Sequence, residues 1–328
     1  MPTATLAAPI LLVNDLLTGA EWSPAQTREL LQLTADIKSH PARYAETLRG
    51  KFLALIFEKP SLRTRVTFEV GIQSMGGAVT FLDHTQARLG ERESIADVAR
   101  NLERWVHGIV ARVYEQRVLE QMAANAKIPV INALSDRFHP CQALADFFTL
   151  HEHFGDLSKI HFAYVGDGNN MAHSLLLAGA SVGAKVSIAT PEAYGLNPVI
   201  VTMAKAIADE TKASLRILTD PRKTVAGADA VYTDAWASMG HEQEKAERAA
   251  IFAPYQVNAA LMQLAKPHAR FMHCLPAHRG QEVTDQVIDS LNSVVFDQAE
   301  NRLHIQKAIL VWLLGGGVGR FPTRSAHA

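Results

Sequence analysis

Phe52-Leu53-Ala54-Leu55-Ile56-Phe57-Glu58-Lys59-Pro60-Ser61-Leu62-Arg63-Thr64-Arg65-Val66-Thr67-Phe68 is the stretch on which the reading of the fold turns. Six consecutive apolar residues followed by a proline turn are short for a helix and fit a strand covered on both faces. After the turn, the apolar residues resume at helical spacing through Phe68 and Val70. Strand, loop and helix in that order make the building block of a parallel sheet.

The same alternation continues outward from this unit. Short apolar runs at 79–82, 108–113 and 128–132 read as further strands, and a second series follows at 160–165, 185–189, 214–218, 230–233 and 271–273. Helical patterns fill the gaps. The expected class is α/β, with two doubly wound parallel-sheet domains joined by helices. A first helix begins at Ser23-Pro24-Ala25-Gln26, where Ser caps, Pro suits the first turn and Gln completes a capping box; it should end near His40-Pro41. The segment from His151 to Lys159 turns polar, and the domain boundary is placed there: one unit over 1–152, a second over 153–300. A last segment, 301–328, is expected to pack back on the first unit. It carries most of a long helical pattern, 298–314, stopped by Gly315-Gly316-Gly317.

With 328 residues, 48% of them hydrophobic, the chain is long enough for two cores. Its 32 basic and 33 acidic residues leave a formal charge of -1, so no overall field recruits nucleic acid or an anionic membrane. Any anion must be held by local arginines. Cys141 and Cys274 are too few for a disulfide framework and fit a reducing compartment. Residues 1–20 carry no basic leader, and the apolar run 10–13 is too short to span a bilayer. A soluble cytoplasmic protein is expected.

In doubly wound folds ligands bind beyond the C-terminal ends of the strands. The first such loop, Glu58 to Arg65, puts two arginines, two hydroxyls and free backbone N–H groups at a helix N-terminus, which suits a phosphate. A solvated basic turn is the alternative. Arg112, at a strand end, is costly there unless it meets an anion or an edge carboxylate. In the loop Phe138-His139-Pro140-Cys141-Gln142, His139 and Gln142 supply neutral donors able to polarise a carbonyl oxygen, or they serve structure alone. Val165-Gly166-Asp167-Gly168-Asn169-Asn170 leaves the dinucleotide pattern incomplete, since Met171 stands where the third glycine belongs. Asn169 and Asn170 offer paired amides suited to an amino-acid carboxylate. Asp234 fits either an ammonium partner or a helix cap, and Cys274 either a wall or a catalytic group. Cys141, Cys274, His139, His273 and His278 show no metal-ligand spacing, so neither a metal nor a cofactor is expected.

Taken in order, Ser61-Leu62-Arg63-Thr64-Arg65, His139-Pro140-Cys141-Gln142, Asp234 with Ser238-Met239-Gly240, and His273-Cys274-Leu275-Pro276 resemble the signature of the ornithine carbamoyltransferases. The likeness runs from about Phe52 to about Trp312. It implies a carbamoyl phosphate-binding first domain, an ornithine-binding second domain, and trimers or multiples of trimers whose sites lie between subunits. It also implies roles. Ser61, Leu62, Arg63, Thr64 and Arg112 hold the phosphate, and His139, Gln142 and Arg302 surround the carbamoyl group. The backbone of Cys274 and Leu275 receives the carbamoyl amide, while Asn170, Asp234, Ser238 and Met239 hold ornithine. His139, Cys274, Asp234, Arg63 and Arg302 form the catalytic set. Two positions depart from the family pattern. Leu62 stands where Thr is usual, a change that a backbone N–H contact survives. Arg88 stands where Gln or His reaches into a neighbouring subunit's site, and so offers an extra cation for the phosphate. The nearest rivals are a carbamoyltransferase acting on aspartate, putrescine or an acylated ornithine, and a noncatalytic binding protein of the same fold.

Overall fold

In the structure, a computed structural model that describes residues 15–236 and 245–315, the opening stretch forms β1 (Phe52–Phe57), buried at every residue after Phe52. Its alternate residues enter two cores. Leu53, Leu55 and Phe57 pack with Phe68, Ile72 and Phe148, whereas Ala54 and Ile56 pack with Ile109, Leu119 and Met122. A strand covered on both faces leaves no position for a polar residue, hence the unbroken apolar run.

The first sheet is completed by β2 (Ala78–Asp83), β3 (Gly108–Arg112) and β4 (Val130–Leu134). All pair in parallel, in the order β2-β1-β3-β4. The second sheet holds β5 (His161–Val165), β6 (Lys185–Ala189), β7 (Ser214–Leu218), β8 (Ala230–Tyr232) and β9 (Arg270–Met272) in the order β7-β6-β5-β8-β9, again all parallel. Here too the faces diverge: Phe162 and Tyr164 join the core shared with β1, while Ala163 and Val165 pack with Val231, Phe252 and Phe271. The fold class is the expected one.

The helices of the first half are α1 (Pro24–Ser39), α2 (Leu62–Gln73), α3 (Ile95–Leu102), α4 (Gln116–Asn125) and α5 (Pro140–Phe154). Those of the second half are α6 (Asn170–Ser181), α7 (Pro198–Thr211), α8 (Pro221–Val225), α9 (Lys245–Phe252), α10 (Ala259–Met262), α11 (Asp285–Ile288) and α12 (Val295–Leu314). The capping box on α1 is formed: the Ser23 side chain accepts from Gln26 N–H and the Gln26 side chain accepts from Ser23 N–H. α12 packs against α1, α2 and α5.

Several strand ends differ from the expectation by one residue, and β4 and the start of α12 differ by two or three. β4 begins at Val130 because Pro129 has no N–H to give the ladder, and it extends to Leu134, whose carbonyl accepts Val113 N–H. α12 begins three residues earlier than the pattern, at Val295. Its C-cap is Gly315, with φ -76°. The apolar run 10–13, the loop residues Ser238, Met239 and Gly240, and Gly316 and Gly317 lie outside the described residues. Among the described residues no helix is long and apolar enough to cross a membrane.

Both strand orders reverse once, between β1 and β3 and between β5 and β8. At such a point the chain leaves neighbouring strands in opposite directions and a crevice opens at their C-terminal ends. The loops read from the sequence as chemical fall at these two crevices.

Candidate active site

At the end of β1, Ser61 is the N-cap of α2 in an extended conformation (φ -156°), and its side chain makes no capping hydrogen bond. The first amides of α2 are therefore left for a ligand at the positive end of the helix dipole. β1 and β3 set Arg112 opposite Phe57, and the pairing of β3 with β4 shifts between Ala111 and Arg112. Such an irregularity at a strand end re-aims the side chain. Arg112 Nη1 donates to Ser61 Oγ at 3.4 Å. From the far end of the chain, Arg302 on α12 donates to Thr64 Oγ1.

Arg63, Arg112 and Arg302 thus converge on one spot, and their chemistry records it. Burial, followed by the charges of Arg302 and Arg63, brings the Arg112 pKa down to about 10. Burial and the Arg63 charge do the same to Arg302, also to about 10. Three guanidiniums that repel one another form a site completed by an anion.

Arg65 does not join them. Two residues on from Arg63, it lies about 200° round the helix, donates to Glu69 Oε1 at 2.9 Å and stacks over Phe81. Of the two arginines read in this loop, only Arg63 faces the cavity. Lys59 takes the second place. It is buried, with a pKa lowered by that burial and by Arg112, and its ammonium lies 4.3 Å from the centre of the Tyr114 ring. The Arg88 guanidinium lies over the same ring at 4.1 Å. Glu58 fixes both loops to the end of β1, accepting Leu89 N–H and Tyr114 N–H at 2.8 Å each.

His139 caps the start of α5, its N–H held by Ser174 Oγ at 2.7 Å. Burial, then the charges of Arg302 and Arg112, lowers its pKa well below the usual histidine value. The ring is neutral at physiological pH, and its Nδ1 has no partner. Gln142, one turn on, is equally buried; its Nε2 donates to Asp146 Oδ1 at 2.8 Å and its Oε1 has no partner. Cys141 between them points away, its thiol donating to Asn132 O and its pKa pushed up to about 12 by burial. It is an inert part of the core.

Across the cavity, the loop after β8 carries Asp234. Asn169 Nδ2 donates to its Oδ2 at 2.9 Å and the Cys274 thiol to its Oδ1 at 3.1 Å. Burial and the Asp234 charge raise the Cys274 pKa well above the usual thiol value, so Cys274 is a thiol donor and not a thiolate. The paired role read for Asn169 and Asn170 divides. Asn169 also caps α6, accepting Met171 N–H and Ala172 N–H at 2.9 and 3.1 Å, so it is spent on structure. That cap occupies the very amides a dinucleotide pyrophosphate would need, and Gly168 lies so close to the next loop that a Cβ would fall 2.5 Å from Tyr194 O. Asn170 donates to Ser135 O at 2.7 Å and keeps Oδ1. Leu275, with φ 57°, completes the wall.

Asp234, His273 and Cys274 bring three potential metal-ligand atoms within 4.8 Å of one another. The His273 ring is already committed: Nδ1 accepts Leu275 N–H at 2.9 Å, and Nε2 faces buried Glu282 at 3.2 Å. Its remaining lone pair is used, which makes the trio a poor donor set.

These groups line a single cavity of about 790 Å³. Ser61, Leu62, Arg63, Thr64, Arg88, Arg112, His139, Gln142, Asn170, Asp234, Cys274, Leu275 and Arg302 all face it, which is every described residue to which the family likeness gives a role. Family models for the aspartate/ornithine carbamoyltransferases match 14–152, as the carbamoyl-P binding domain, and 158–313, as the Asp/Orn binding domain. The chain belongs to the aspartate/ornithine carbamoyltransferase family. An ornithine carbamoyltransferase of Thermococcus kodakarensis is 55% identical over 308 residues, covering 94% of this chain and 96% of its own. A protein of Pyrococcus furiosus named as an anabolic ornithine carbamoyltransferase is 50% identical with the same coverage. The solved structure of ornithine carbamoyltransferase from Pyrococcus furiosus superposes with a TM-score of 0.90 at 49% identity, over 93% of this chain and 98% of that one.

For this member of the aspartate/ornithine carbamoyltransferase family, the sequence reading passed over several groups in the cavity. Lys59 had a signal, standing directly before Pro60-Ser61 at a strand end. Arg248 and Asp167 had none. Arg248, on α9, meets Asp167 Oδ2 at 2.9 Å and Trp236 O at 2.8 Å and lies over the Tyr194 ring. Eighty-one positions separate the pair.

Proposed function

We propose that this chain transfers the carbamoyl group of carbamoyl phosphate to the side-chain amine of L-ornithine, giving L-citrulline and phosphate. The observation that carries this reading is the polarity of one cavity: three arginines and an open helix N-terminus at one end, the Asp234–Cys274 pair at the other, and the partnerless His139 Nδ1 and Gln142 Oε1 between them. The unit 1–152 takes carbamoyl phosphate and 153–300 takes ornithine, while the last segment, from 301 on, returns along α12 to the first unit and brings Arg302 with it. The curated relatives' names support ornithine over aspartate, putrescine or an acylated ornithine.

Ser61, Arg63, Thr64, Arg112 and the backbone N–H of Leu62 hold the phosphate, with Arg88 and Lys59 adding positive charge at its edge. His139 and Arg302 meet the carbamoyl oxygen, Gln142 and the carbonyls of Cys274 and Leu275 the carbamoyl NH2. Asp234 pairs with the side-chain ammonium of ornithine, Asn170 Oδ1 suits its α-ammonium, and Ser238 and Met239 complete the amino-acid site. An amine with a solution pKa of about 10.4 must lose a proton before it attacks, at a cost on the order of 4 to 5 kcal/mol at pH 7. Cys274, kept neutral, is already a donor to Asp234, so the carboxylate and not the thiol takes that proton. The amine nitrogen then bonds to the carbamoyl carbon as the carbon–oxygen bond to phosphate breaks. Phosphate leaves with the second amine proton, stabilised by the arginine cluster.

The enzyme is further read as a cytoplasmic homotrimer or multiple of trimers. Free cysteines suit a reducing compartment. Leu62, Val66 and Val70 leave an exposed apolar stripe along α2 beside the cavity, at 74, 45 and 46% exposure, suited to burial against a second copy.

Citrulline formation from carbamoyl phosphate, with ornithine, putrescine, aspartate and N-acetylornithine offered in parallel, tests the reading. Turnover with ornithine alone is expected; turnover with another acceptor overturns the ornithine half, and silence with all four overturns catalysis. The ornithine side makes its own prediction. Arg248→Gln removes the guanidinium that meets Asp167 Oδ2 at 2.9 Å and so makes the charge beside the Asn169–Asp234 pair more negative, enough to draw the ammonium off line. The ornithine KM should rise about ten-fold, roughly 1.4 kcal/mol, with carbamoyl phosphate binding little changed. Steady-state kinetics that showed equal losses for both substrates would refute this local role.

A further inference from the structure

Asp146, on α5, is fully buried and lies outside the cavity lining, yet it governs a group inside it. Its Oδ1 accepts two amide donors, Gln142 Nε2 and Gln298 Nε2, each at 2.8 Å. Gln298, on α12, accepts His273 N–H on its Oε1 at 2.9 Å. A chain of three side chains thus runs from Gln142 in the first domain to the backbone of the His273-Cys274-Leu275 turn in the second. Burial pushes the Asp146 carboxyl up to about 6, against the pull of the Gln298 and Gln142 hydrogen bonds, so above pH 7 it is mostly a carboxylate. A carboxylate only accepts, and both glutamines must therefore present NH2 to it. The amide of Gln142 then has one possible orientation, with its oxygen away from Asp146. That oxygen is buried, has no partner, and belongs to a residue of the cavity wall.

We propose that Asp146 and Gln298 are positioning residues that lock the Gln142 amide with its oxygen toward the reacting group, and so make the site select acyl phosphates that carry an NH2. The inference rests on the proposed function. An acyl phosphate with a methyl group in place of NH2, such as acetyl phosphate, leaves the Gln142 oxygen buried and unsatisfied. A site built to hydrogen-bond one group discriminates strongly against an analogue lacking it. The same chain holds the turn whose carbonyls face the other NH2 proton, so both acceptors of the carbamoyl nitrogen depend on one carboxylate.

The test compares acetyl phosphate, as a competitive inhibitor, with carbamoyl phosphate at pH 8 in the wild type, Asp146→Asn and Gln298→Met. The asparagine amide introduced by Asp146→Asn can offer either its oxygen or its NH2 to Gln142, which frees the Gln142 amide to flip. The ratio of acetyl phosphate to carbamoyl phosphate dissociation constants should shrink about ten-fold in Asp146→Asn and about three-fold in Gln298→Met. The shrinkage should come from weaker carbamoyl phosphate binding. Inorganic phosphate, which touches only the arginine end, should bind each variant within about two-fold of wild type, a readout that general loss of structure would not spare. A ratio unchanged in either folded variant overturns the inference. If the wild type itself made no citrulline, the proposed function would fall first; if it turned over normally while the ratio stayed fixed, only the positioning role would fall.

Discussion

Arg302→Met should lower kcat/KM by about 10²–10³ and yet raise the melting temperature of the ligand-free protein. On the proposed reading, the loss of rate follows from removing the buried cation that meets the carbamoyl oxygen. The gain in stability follows from the depressed pKa. A fall from the ordinary guanidinium value to about 10 means that folding opposes the charge by on the order of 3 kcal/mol. With a folded pKa lowered below the ordinary guanidinium value, Arg302 contributes stability fully present only above that ordinary range and lost as pH falls through about 10, so at pH 7.5 the whole cost is felt. Methionine removes that cost and fills the space, offset by about 1 kcal/mol for the hydrogen bond to Thr64. A rise of a few degrees is expected. Phosphate should reverse the order, since it relieves the repulsion in the wild type and has less to bind in the variant. Thermal unfolding with and without phosphate reads both effects; a ligand-free variant less stable than wild type would contradict the account of the cluster.

The second large effect is on His139. His139→Ala should cost roughly 10²–10³ in kcat with the fold intact, because one neutral donor to the carbamoyl oxygen is lost. His139→Gln, which keeps an N–H donor, should recover part of it. Since burial and the neighbouring guanidiniums hold the ring neutral, its titration lies well below 6.5 and the rate should show no fall near that pH from this group. Protonation would add a cation beside the buried Arg302 and Arg112, so the stability His139 confers by staying neutral is present above pH 6.5 and lost only as pH drops through its lowered value. An alanine variant with wild-type kcat, or a wild-type profile that loses an acid limb at about pH 6.5 on substitution, would remove His139 from this role.

The strands and the position of the cavity were legible because they are local physics. A run such as 52–57 has one reading at that length, and loops after strands are where ligands sit in such sheets. Roles that depend on distant partners were not. Arg65 looked equivalent to Arg63 until the turn of α2 separated them. Asn169 looked free for a ligand, but its nearest unsatisfied groups are the first amides of its own helix. Arg302 entered the sequence reading through a family likeness alone, as no periodicity links it to Thr64, 238 residues earlier. Asp146 reads as one polar residue on an apolar helix, and only the glutamines on either side give it meaning.

α12 has a consequence for how the enzyme comes into being. The loop that begins the phosphate site is translated well before the residue that closes it, 238 positions later. A chain still lacking 295–315 has neither the Arg302 guanidinium nor the Ile305, Ile309 and Leu310 side chains that fill the core shared with β1, and should hold carbamoyl phosphate only loosely. Affinity for the donor substrate is therefore a late event in synthesis, gained in one step when α12 settles between α1, α2 and α5.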